Sequence, residues 1–135
     1  MPDAARPLLT ELRRILLAHH KSLLDSERVR YDHDVERITS SGQLLGLVLR
    51  DPFFAWLHEL SELIVAIDET LDAKEPEAAT DADAARLLAQ ARTLLTPVEG
   101  GTGFRGQYFE ALQREPDVVI AHGAVVKAIG ALSPA

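Results

Sequence analysis

Apolar residues recur along this chain at gaps of three and four, the spacing of one face of an α-helix. Leu8, Leu12, Ile15, Leu16 and Leu23 form one such face, and Val118, Val125, Ile129 and Leu132 form another. A histidine interrupts each, His19 in the first and His122 in the second. A titratable ring inside an apolar seam must be hydrogen-bonded, neutral, bound to a metal, or set beside a pocket. No stretch alternates convincingly between apolar and polar residues, so no strand is predicted.

Between Leu8 and Ser41 there is neither Pro nor Gly, and the helical pattern runs to about Arg37. Past Leu23 the apolar positions move to Leu24, Tyr31, Val35 and Ile38, a rotation of roughly 100° on the helical wheel. That shift predicts either a kink near Asp25-Ser26 or a change of packing neighbours along one helix. A short helix is expected from about Gln43 to Leu49, after the Thr39–Gly42 loop. Asp51-Pro52 reads as an N-cap and a first-turn proline, opening a long helix. Its inward positions are Phe53, Leu57, Leu60, Ile64, Ile67 and Leu71, with Trp56 and Leu63 widening the stripe. Thr80 and Asp83 resemble a capping box with a shortened acid, starting a helix that Thr96-Pro97 stops. Two more helices, about 103–114 and 117–131, are separated by Pro116. The expected fold is all-α: one domain over residues 1–135, an antiparallel helical bundle of four main helices plus one or two short ones.

Composition narrows the chemistry. With 135 residues the chain is long enough to bury a core, and the absence of cysteine excludes disulfides, zinc fingers, iron–sulfur clusters and thiol nucleophiles. The lack of Asn and the excess of Arg over Lys point to a high-GC bacterial gene. Met1-Pro2-Asp3-Ala4 shows no basic segment followed by an apolar run, so no secretory signal is expected. The longest mostly apolar stretch, Val118–Val126, is too short to span a bilayer, and a cytoplasmic location is expected. Net charge is −7, and residues 51–83 hold ten acids against Lys74 alone. Such a surface repels phosphate backbones and anionic lipid, so neither nucleic acid nor membrane is the expected partner.

Few residues suggest a site. Gly101-Thr102-Gly103-Phe104-Arg105-Gly106 fits GxGxxG, but a helix precedes it where a dinucleotide site needs a strand. Amides at the start of the following helix, with Arg105, form an anion-binding candidate. His58 and Glu62 have chelating spacing, yet their wheel positions point away from the apolar seam. Asp32-His33-Asp34 is rich in ligand types, but consecutive helical residues diverge by about 100°. Ser26, Arg30, His33 and Arg37 extend the line of His19 and Leu23, either along a cleft or where the helix leaves the core.

His19 and His122 pass the directional test that His58 fails, and Tyr108 also falls on an inward position. These three are the ligand or metal candidates, in a pocket between helices, with the cofactor undefined. Phe54 and Val65 lie off the main seam and mark a second apolar edge, the interaction-surface candidates. No Glu-x-x-His pair, His-Glu-x-x-His, P-loop or Gly-x-Ser-x-Gly elbow occurs. The expected function is a non-catalytic protein-interaction module, partnered by a second copy or another protein. The alternative is a bundle binding a metal ion or small ligand in an interior pocket lined by His19 and His122.

Overall fold

The computed structural model describes residues 4–133, and the reading of the amino-terminal tripeptide lies outside them. Every regular element among these residues is a helix. The first, α1 (Ala5–Asp34), runs unbroken for 30 residues, as an interior free of Pro and Gly permits. The helix passes through Asp25-Ser26 without a break, and of the two readings of the shifted stripe a change of neighbours fits, with Tyr31 on Phe53 and Phe54. α1 lies against four helices introduced below, so it buries a wide face that includes Leu9, Leu12, Leu16 and Leu23. Each such leucine contributes about 1.5–3 kcal/mol. α1 also ends three residues before Arg37: the Asp32 carboxylate captures the Ile38 amide at 2.7 Å and turns the chain away.

Next comes α2 (Ser41–Arg50), with Ser40 capping the Gln43 amide at 3.1 Å. None of its residues is fully buried. Asp51 and Pro52 act as predicted, cap and first-turn proline, but the helix they open is only α3 (Pro52–Ala55). A tight turn at Trp56-Leu57, closed by the Leu57 amide on the Phe54 carbonyl, precedes α4 (His58–Asp72). This break corrects the expected continuous seam. Three-residue spacing across the turn brings Phe54 and Leu57 inward together and leaves Phe53 half-buried. Phe54 packs on Phe53 and on Tyr31 of α1, at ring separations of 5.3 and 5.5 Å. It is therefore core, not the exposed edge expected of it.

α4 lays Leu60, Ile64 and Ile67 on α1, and Arg6 at the start of α1 donates to the Leu71 carbonyl at 2.8 Å. After the polar connector, the Thr80–Asp83 capping box forms in full and opens α5 (Asp81–Leu94). α6 (Gly103–Arg114) matches its predicted bounds, and α7 (Pro116–Gly130) closes the fold against α1, α5 and α6. No helix among the described residues is long and apolar enough to cross a membrane.

Candidate functional site

The seams of α1 and α7 meet, and the inward face of α6 joins them. Each seam delivers its polar interruption to the same point. Tyr108 of α6 is fully buried, His19 of α1 is 3% exposed, and His122 of α7 is half-buried. The Tyr108 hydroxyl lies 2.9 Å from His19 Nε2 and 2.6 Å from His122 Nδ1. Both rings stand edge-on to the phenol, with centroids 5.7 and 5.3 Å away. The sequence leaves open whether His19 and His122 converge, and in the structure both rings reach the same hydroxyl. The Tyr108 hydroxyl fills the space between the rings, and the nitrogens are aimed at its oxygen. Among the described residues, no three His, Asp or Glu side chains gather with metal-binding geometry.

Electrostatics keep this chain uncharged at neutral pH. Burial, with like charge from His122 and then His20, pushes His19 from its ordinary 6.5 to about 4. Burial also lowers His122, and it raises the Tyr108 phenol well above the usual tyrosine range. With one proton on the hydroxyl, one ring must donate to its oxygen while the other accepts from it. When one ring carries an added proton, moving both protons together passes the charge to the other ring and leaves the phenol neutral. The arrangement is a short proton relay from half-buried His122 to His19. On the far side, His19 borders an open groove of about 190 Å³ between α1 and α7, shared with Arg14 and Ser22.

A second polar cluster lies two turns further along α1, at a residue the sequence pattern did not single out. Glu27 is 2% exposed. Its carboxylate accepts from Arg30 at 2.9 and 3.1 Å, Arg114 at 3.0 Å and Trp56 Nε1 at 3.3 Å. Arg30 also stacks its guanidinium 4.0 Å over the Phe53 ring. Beside it, Ser26 is buried and donates to Asp117 at 3.4 Å. The polar extension of the α1 seam therefore stays inside the fold through Glu27, and leaves it only by His33, which is exposed.

The other candidates resolve into structural roles. The first side-chain-bearing amide of α6, at Phe104, donates to the Glu59 carboxylate at 2.8 Å, and Arg105 donates to the Thr96 carbonyl at 2.8 Å. The chain's own acid thus occupies the expected anion site. The GxGxxG glycines serve a folded-back loop: a Cβ on Gly106 would stand 1.9 Å from the Gly101 carbonyl oxygen, and Gly103 adopts φ of 65°. His58 Nε2 donates to the Val48 carbonyl at 3.0 Å, tying α2 to α4, while Glu62 is exposed. Val65 is exposed, as expected.

A larger apolar surface lies on α7. Asp117 and Lys127 are its only residues with a permanent charge, yet only one side packs. Val119, Ile120 and Val126 are 49%, 75% and 50% exposed. Gly123, between Ile120 and Val126, and Gly130, one turn beyond Val126, have open space where a Cβ would project. Comparison with known family models, curated proteins and solved structures finds no match.

Proposed function

We propose that this protein is a non-catalytic interaction module that pairs with a second copy of itself through the outer face of α7. The observation that carries the reading is a helix apolar on all sides in a position where only one side is covered. Helices of that kind are normally buried on every side, and contiguous exposed apolar surface marks contact sites. The same patch on two copies, related by a twofold axis, covers both at once, the commonest symmetry of soluble oligomers. The two exposed α7 glycines support close approach of a partner helix. Short connections between successive helices support the finer fold reading, an antiparallel bundle of four main helices with shorter additions.

The test is light scattering on purified protein at micromolar concentrations. A dimer that Ile120→Glu converts to a folded monomer supports the proposal. A monomeric parent protein removes it.

A further inference from the structure

We infer that the His19–Tyr108–His122 chain is a latch that seats α7 on α1 while it holds at most one extra proton, and releases α7 when it takes a second. The inference stands apart from self-association, because it concerns the inner side of α7. It follows from counting hydrogens at one oxygen. The Tyr108 hydroxyl meets one nitrogen from each ring, at 2.9 and 2.6 Å, and has a single proton to give.

With both rings neutral, one contacting nitrogen carries hydrogen and donates, and the hydroxyl donates to the other. One added proton changes nothing essential: the charged ring donates and the hydroxyl donates to the neutral ring. A second added proton makes both contacting nitrogens donors. The hydroxyl then accepts twice, its own hydrogen loses its acceptor, and two cationic rings flank one phenol inside a seam of Val118, Val125 and Ile129.

Nothing nearby offsets that charge. The groups acting on His19 are His122 and His20, both cationic when protonated. On α1, Arg14 borders the groove and is engaged by Glu11. On α6, Arg114 is held by Glu27. On α7, Asp117 accepts from Ser26 and from the Val118 amide, and Lys127 adds positive charge. On α5, Arg92 donates to the Leu132 carbonyl. Among the described residues, neither ring bonds to a carboxylate. The half-buried His122 is the natural site of the first proton and His19 of the second, near pH about 4.

The test follows histidine ring nitrogen signals and amide exchange by NMR on the full chain, from neutral pH through the His19 titration. The first proton should leave α7 protection factors unchanged. The second should lower them about tenfold or more while α4 keeps its protection. In His122→Gln, whose amide donates and accepts but does not charge, the α7 step should vanish. Tyr108→Phe should abolish the step as well, and the glutamine variant decides the matter if the phenylalanine variant does not fold. Loss of α4 and α7 protection together in the parent, or an unchanged step in His122→Gln, overturns the latch.

Discussion

α1 carries two buried polar clusters, and they solve the same problem in opposite ways. At His19 the fold keeps every group neutral and threads them on one hydroxyl. At Glu27 it accepts a buried charge and surrounds it with two guanidiniums and an indole N–H. A neutral chain costs little to bury, and it fails only when protons are added. A charged cluster offsets its desolvation only while all partners remain, so it fails when one is removed. The first is vulnerable to pH and the second to mutation.

The sharpest way to break that contrast is Glu27→Ala. It leaves Arg30 and Arg114 facing each other across an empty acceptor and strands the Trp56 N–H. Removing one member of a buried ion cluster costs about 3–5 kcal/mol, and side-chain exposures of 25% and 35% for the two arginines let water relieve part of that. A loss of about 3–4 kcal/mol in urea unfolding is expected. A loss below about 1 kcal/mol would place the cluster among ordinary surface pairs.

The next effect belongs to acid. The unfolded chain protonates histidine near 6.5, whereas folded His19 holds out to about 4. The unfolded state therefore binds more protons between those values, and stability falls as pH drops through that window. The contribution is intact above the unfolded value and is lost on the order of 3 kcal/mol by the folded one. Urea midpoints measured across that window should fall in the parent and fall less in His19→Gln. Equal slopes in the two proteins would remove the neutral cluster's claimed sensitivity.

The two clusters also differed in legibility. His19 and His122 stood out because a rare, titratable side chain broke an apolar repeat, and wheel direction then sorted them from His58. Tyr108 was inward on its own helix, but its place between the rings depends on how α6 docks. Glu27 carried no such signal, since glutamate is ordinary in a helix and its partners Trp56 and Arg114 are distant in sequence. Local rules read the caps at Asp51 and Thr80 directly, because each bond spans two or three residues. They missed the turn at Trp56-Leu57, where packing of Phe54 and Leu57 on α1 overrides an otherwise regular helical repeat. The outward face of α7 was hidden for a related reason: periodicity shows which side is apolar, and α7 is apolar on both.

Tyr108→Phe probes the neutral cluster without adding charge. It keeps the ring stacked on Phe104, 5.2 Å away, and removes only the hydroxyl. His19 then keeps a buried nitrogen without that partner, while half-buried His122 finds water. A loss of about 2 kcal/mol at neutral pH is expected, below that of Glu27→Ala.

The smallest effect tests whether these are two clusters at all. Trp56, Phe104 and Tyr108 form a continuous ring stack, at 5.3 and 5.2 Å, that runs from the Glu27 site to the histidine site. Phe104 is fully buried between them, but it has no polar side-chain atom to pass a hydrogen bond. Coupling through such a contact works only by shape, and neither Glu27→Gln nor Tyr108→Phe changes shape much. A double-mutant cycle on this pair should therefore close to within about 0.5 kcal/mol. A coupling above about 1 kcal/mol would mean that the polarity of one site is felt at the other. The contrast between a neutral latch and a charged anchor would then give way to a single network along α1.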